Sequence, residues 1–178
     1  MWHPAGVTET RGRDAIVRKG NAILTARMLP WAFLLPALKH LLPLPRLVRL
    51  MWTDPISTSR SSPEDILALA GLLTHARPLP SRGNCLERSL LAYRFLARAG
   101  LEPALVVGVA SRGDGVEGHA WIELSGVPVR EPNGVDHFTR VVVFGAGGQA
   151  HPEGIAEAIP PAADIDRTPS VLAECSRA

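Results

Sequence analysis

The chain has 178 residues, 46% of them apolar, and a formal net charge of +2. That length and apolar content suit one globular domain and exclude a disordered chain, and so small a charge gives no reason to expect nucleic acid as a partner. Two cysteines, Cys85 and Cys175, make no disulfide framework and read as thiols of a cytoplasmic protein, with no support for a bridge between them.

Residues 1–13 are polar and read as a frayed start. Residues 1–20 carry no apolar core that would make a signal peptide. Residues 14–27 can form a helix with Ile16, Ile23 and Leu24 inward. Residues 28–51, MLPWAFLLPALKHLLPLPRLVRLM, are the most apolar stretch. They have the length of a membrane span, but Pro30, Pro36, Pro43 and Pro45 predict short helices divided by proline kinks, with Lys39 and His40 in mid-segment. Flanking arginines with Trp31 and Trp52 add peripheral membrane contact as a second reading of this N-terminal, proline-broken region, residues 1–61.

A helix start follows at Ser62, with Pro63 in the first turn and Glu64 and Asp65 near the positive end of the helix dipole. Its inward stripe is Ile66, Leu69, Leu73 and Ala76, and Pro78 and Pro80 close it. The next helix opens at Cys85 in RGNCLERSLLAYRFLARAG, residues 82–100. Asn84 can cap it, Glu87 can reach back to close a capping box, and Gly100 suits the C-terminal cap. Leu86, Leu90, Tyr93 and Ala97 recur at helical spacing and predict a buried face. Cys85 then stands among unpaired backbone N–H groups at the positive end of a helix dipole, a setting that favours the nucleophilic thiolate.

After Gly100 the period changes from helical to extended. Residues 105–110 (LVVGVA) read as a central strand, 111–118 as a glycine-rich loop, 119–124 (HAWIEL) as a strand opening on His119, and 141–144 (VVVF) as another. Residues 145–178 read as a loose Gly/Ala/Pro-rich tail, and the GAGG at 145–148 lacks the setting of a dinucleotide site. No cysteine–histidine pair has the spacing of metal ligands.

A thiolate needs a group that holds its charge and later delivers a proton, usually histidine. Among six histidines, His119 is the best placed and His137 the main competitor. Leu124-Ser125-Gly126 reads as a three-residue hairpin loop with Gly126 left-handed. Centred on Ser125, that hairpin sets Glu123 opposite Val127 and His119 opposite Glu131, on one face. Glu131 can then orient the imidazole, with Asp136 as the alternative. Glu123 shares the face but lies too far along the strand, and Trp121 falls beside His119. The Cys85 N–H can serve as one oxyanion donor; the pattern identifies no second.

NCLERSLLAYRFLARAGLEPALVVGV, followed by GHAWIEL and a carboxylate, resembles the transglutaminase-like cysteine peptidases of lasso peptide biosynthesis, the B-type maturation proteins, over residues 62–144. The resemblance implies an α+β, papain-like fold: helices first, then a cysteine-bearing helix packed on a small antiparallel sheet. It places the family's nucleophile on Cys85, its base on His119 and its third residue, usually aspartate, on Glu131. It implies a peptidase that removes the leader from a ribosomal precursor and needs no cofactor of its own, ATP belonging to a partner cyclase; the alternatives are acyl transfer or deamidation on the same fold, and a non-catalytic scaffold of the maturation complex in which Cys85 is structural. Expected partners are the precursor peptide, the lasso cyclase and a separate leader-binding protein, since residues before Ser62 lack the strands of a fused leader-binding domain. The apolar segment 28–51 is the candidate surface for docking one of these proteins.

Overall fold

A computed structural model of the chain describes residues 7–56, 61–75, 84–112 and 115–152, with side chains from residue 22 onward. Four helices, α1 (Val7–Leu41), α2 (Leu44–Met51), α3 (Pro63–His75) and α4 (Cys85–Arg98), precede the strands β1 (Pro103–Arg112), β2 (Gly115–Leu124), β3 (Val127–Pro128), β4 (Thr139–Phe144) and β5 (Ala150–Pro152). The sheet is antiparallel in the order β3-β2-β1-β4-β5. The α+β class is the one the sequence implied, and β1 is the central strand.

Helix α4 sits between the other helices and the sheet. Leu86, Leu90, Tyr93 and Ala97 are buried as their spacing predicts, and so are Leu91, Phe95 and Leu96, because α4 has neighbours on nearly every side. Its C-terminus closes as expected: Gly100 has φ 85°, the Gly100 N–H donates to Ala97 O at 2.9 Å and the Leu101 N–H to Leu96 O at 3.1 Å, a Schellman arrangement. One face of the sheet, with Leu105, Val107, Ala120, Ile122 and Phe144, shares a core with all four helices. The other face carries Val106, Trp121 and Val143, covered by Val135 and Phe138 from the segment before β4.

Several expectations require correction. Pro30 and Pro36 do not break the apolar segment; both lie inside α1. Each proline removes one backbone hydrogen bond at a cost of about 3 kcal/mol, offset here by burial of Met28, Ala32 and Leu35 along the same helix. The break comes at Pro43, whose carbonyl caps α2 by accepting from the Arg46 and Leu47 N–H groups. Ile23 is exposed while Leu24 is buried. In α3, Ser62 caps as predicted, its Oγ accepting from the Asp65 N–H at 3.1 Å, but the buried stripe is Ile66, Ala70 and Thr74, with Leu69 and Leu73 on its flank. Thr74 tolerates burial because its hydroxyl donates to Ala70 O at 2.8 Å. Leu24, Met28, Ala32 and Leu35 of α1 and Leu44, Leu47, Val48 and Met51 of α2 share the core with α3 and α4.

The glycine-rich loop is shorter than expected, since β1 runs to Arg112 and β2 begins at Gly115. The tail begins in order: residues 146–148 form a 3-10 turn and 150–152 pair with β4. Tyr93 holds this turn, its hydroxyl donating to Gly145 O at 2.5 Å and accepting from the Gly148 N–H at 3.2 Å. Gly148 is needed there, because a Cβ would stand 2.8 Å from Arg49 Cα in α2. Residues 7–13, expected to be frayed, form the first turns of α1; residues 1–6, Ala76, Pro78, Pro80 and residues 153–178 with Cys175 lie outside the described residues.

Candidate active site

Cys85 is the first residue of α4 and half-buried, with Asn84 before it as the N-cap residue. The Arg88 N–H donates to Asn84 O at 2.8 Å and starts the helix. The capping box is not formed from the asparagine side: the Asn84 side chain makes no cap hydrogen bond and donates instead through Nδ2 to Thr74 O at 3.1 Å, tying α4 to the end of α3. The Asn84 amide nitrogen is therefore committed to α3. Glu87 is fully buried and its Oε1 pairs with Lys39 Nζ of α1 at 2.9 Å.

One turn into α4, the Ser89 hydroxyl donates to Ala120 O at 2.9 Å. That bond fixes how far the helix slides along β2, because Ser89 follows Cys85 by four residues, one turn, and Ala120 adjoins His119. The sulfur and the imidazole meet as a result. The side chain of His119 is hydrogen-bonded both to Cys85 and to Glu131. Its Nε2–H donates to Glu131 Oε2 at 3.0 Å, so Nδ1 is the nitrogen left for the sulfur. The ring leans on Phe138, centroids 5.0 Å apart and 23° from parallel, and on Trp121, at 6.0 Å and 18°. Trp121 is a core residue, buried to 1% exposure, with Nε1–H donating to Glu123 Oε1 at 2.9 Å.

Burial pulls the His119 pKa down, but the hydrogen bonds to Cys85 and Glu131, and their negative charges, outweigh it and push the value up to about 9. The ring is therefore a cation at neutral pH beside a sulfur at a helix N-terminus, and both influences favour a thiolate.

Glu131 meets His119, but not through the ladder the sequence suggested. The hairpin has a two-residue turn, Ser125 and Gly126 with φ 52° and 78°, as in a type I′ turn. The register is Leu124↔Val127 and Glu123↔Pro128, one residue away from the expected one, and the Val129 N–H donates to Ile122 O. Continued regularly, this register would set Glu131 opposite Ala120 and turn its side chain to the other face. It does not continue: Arg130 takes φ 56°, and that left-handed residue redirects the chain so that Glu131 returns to His119. Asp136 is exposed and makes no bond to His119. His137 is exposed and its ring lies against Phe138, centroids 4.2 Å apart and tilted by 41°. Glu123, excluded by distance, is buried between Trp121 and Arg140, whose Nη2 donates to Glu123 Oε1 at 2.6 Å.

The sequence reading assigned no part to Arg88, Ser89 or Phe138. Arg88 Nη2 donates to Glu131 Oε1 at 2.5 Å, so the carboxylate is held from two sides, by the imidazole and by a guanidinium one turn along α4 from Cys85. The legible signal was the Cys-Leu-Glu-Arg-Ser spacing, which puts Arg88 three residues from Cys85 on the same helix face. Phe138 carried no such signal. Behind the Arg88–Glu131 pair lies a cavity of about 600 Å3 between α3, α4 and the segment after β3.

The arrangement can hold a thiolate–imidazolium pair at a water-accessible helix tip, with the Cys85 N–H available to an oxyanion. A family model described as the transglutaminase-like superfamily matches residues 25–143. The match takes in every residue of this site and extends back into α1, which shares the core with α4. Comparison with curated proteins and with solved structures found no match.

Proposed function

Because the chain belongs to the transglutaminase-like superfamily, whose members include cysteine peptidases and acyl transferases, we propose that it is a cysteine peptidase that removes the leader from a ribosomally made lasso peptide precursor. The observation that carries this reading is the His119 side chain bonded at once to Cys85 and to Glu131. The lasso assignment draws on the CLERSL and HAWIEL segments.

In this reading the Cys85 thiolate attacks the carbonyl carbon of the amide joining leader to core, and the carbonyl oxygen takes up the negative charge facing the Cys85 N–H. His119 gives its proton to the departing nitrogen, the C–N bond breaks, and the core leaves with a free amine. The leader remains as a thioester on Cys85. Neutral His119 then takes a proton from water, whose oxygen attacks the thioester carbonyl. The C–S bond breaks, the leader leaves as a carboxylate, and the thiolate–imidazolium pair is restored. Glu131 keeps the imidazole in one orientation and stabilises its cation, and Arg88 keeps Glu131 in place as a positioning residue. The freed amine is what a separate ATP-using cyclase would join to an acidic side chain. A separate leader-binding protein would deliver the precursor.

The test incubates the chain with precursor and leader-binding protein and reads products by mass spectrometry. Two fragments are expected, abolished in Cys85→Ala. A single product about one dalton heavier would mean deamidation by the same dyad, a product joined to an added amine would mean acyl transfer, and cleavage that survives Cys85→Ala would overturn the reading.

A further inference from the structure

Helix α1 carries a second face that the core does not use. Leu24, Met28, Ala32 and Leu35 point inward. On the opposite side Ile23, Leu29, Phe33, Leu34 and Leu41 are exposed, Phe33 at 63% and Leu41 at 75%, with the small exposed Ala26 and Ala37 between them. A core helix of a water-soluble protein normally turns a polar side to solvent; this one turns a continuous apolar strip outward.

Charge selects what covers that strip. No Asp or Glu stands between Asp14 and Asp54, whereas Arg18, Lys19, Arg27, Lys39, Arg46 and Arg49 all do. Lys39 is taken by Glu87. Arg27 is exposed near the start of the strip, and Arg46 and Arg49 are exposed on α2 just beyond its end. Leu50, also on α2, is exposed as well. A second copy of the same face would bring only like charge to these arginines. An anionic lipid surface offers both requirements at once, acyl chains for the strip and negative headgroups for the arginines at its ends.

We propose that the outer face of α1, with α2, docks this protein on an anionic membrane surface, α1 lying in the plane of the interface without crossing it. The surface is separate from the Cys85 site, so the proposal stands or falls independently of the peptidase reading.

The experiment is co-sedimentation of the full chain with vesicles of phosphatidylcholine alone and of phosphatidylcholine with phosphatidylglycerol in equal parts. Binding to the anionic vesicles alone, released by salt, is expected. Arg46→Gln with Arg49→Gln should weaken partitioning about 30-fold, the equivalent of about 1 kcal/mol per basic residue near such a surface. Phe33→Glu with Leu34→Glu should reduce it to background; Leu41→Glu alone, at the most exposed of these positions, provides a second variant, and thermal unfolding shows that each remains folded. Absence of binding to either vesicle, equal binding to both, or binding that survives the glutamates overturns the proposal. So does a dimer in sedimentation velocity that Phe33→Glu dissolves, since the strip would then be covered by another copy of the chain.

Discussion

Arg88 and Glu131 stand 43 positions apart in the sequence and 2.5 Å apart in the fold, and their pairing is what lets one carboxylate serve both the helix that carries Cys85 and the strand that carries His119. The guanidinium and the imidazole occupy different oxygens of Glu131, so loss of either leaves the other partner free to pull the carboxylate away.

Arg88→Ala should therefore lower kcat/KM by about 10- to 100-fold, the scale on which a catalytic group misplaced by about 1 Å loses rate. Arg88→Lys should recover only part of it, since a single ammonium cannot reproduce the planar fork. Steady-state kinetics on a leader–core peptide measures both, and a full-rate Arg88→Ala enzyme would remove Arg88 from its positioning role.

The His119 value of about 9, against 6.5 for an ordinary histidine, sets the alkaline limb of activity. In the proposed reaction the rate should fall as pH rises through about 9, when the ring loses the proton that the leaving nitrogen would take. Glu131→Gln should move that limb to lower pH, because it removes one of the interactions that raise the value. Stability follows the same sign: the raised folded value contributes stability that is fully present below about pH 6.5 and lost as pH climbs through about 9. Thermal unfolding against pH should show this loss in the native chain and not in His119→Gln.

Gly108 lies opposite His119 in the β1–β2 ladder, and a Cβ there would stand 2.8 Å from Trp121 Cη2 and 2.9 Å from Thr139 O. Gly108→Ala should cost about 1–3 kcal/mol through overpacking and lower activity as well, because displacing Trp121 disturbs the ring against which His119 leans. Gly71→Ala is the contrasting case. Its Cβ would meet nothing within 4 Å, so it should stabilise α3 by about 0.5–1 kcal/mol. Chemical denaturation of the two variants separates crowding at the site from a general intolerance of glycine replacement.

Lys39 and Glu87 join α1 to α4 with side chains 9% and 0% exposed. Lys39→Met should destabilise by about 3–5 kcal/mol by taking the ammonium away from a buried carboxylate. The double variant Lys39→Met, Glu87→Leu should regain most of that loss, since an apolar pair of similar volume is often no worse than a buried ion pair. A double variant as unstable as the single one would show that Glu87 is required for some other contact.

Much of the site could be read from local chemistry. The opening of α4 at Cys85, its Schellman end at Gly100 and the Ser62 cap depend on residues within a few positions of one another, so their side-chain types suffice to predict them. Glu131 was reached by a hairpin count that the structure corrects. The loop is two residues long, and the left-handed Arg130 restores the face that the shifted register would have lost. A positive φ at an arginine has no signature in composition or spacing. Phe138 was hidden for a similar reason, since nothing in its neighbourhood indicates that it will lie against His119.

What the sequence determined by itself is a set of short-range decisions: where α3 and α4 start, where α4 stops, that 105–110, 119–124 and 141–144 are extended, and that a thiol stands at a helix tip. Tertiary structure alone decided that Pro30 and Pro36 are absorbed within α1, that Glu87 pairs with Lys39, and that Arg88 and Ser89 set the meeting of helix and strand. Caps and turns are settled by hydrogen bonds among neighbours in the chain. The cost of a proline, the burial of a charge and the sliding of a helix along a sheet are settled by what packs against them, and those partners come from distant parts of the chain.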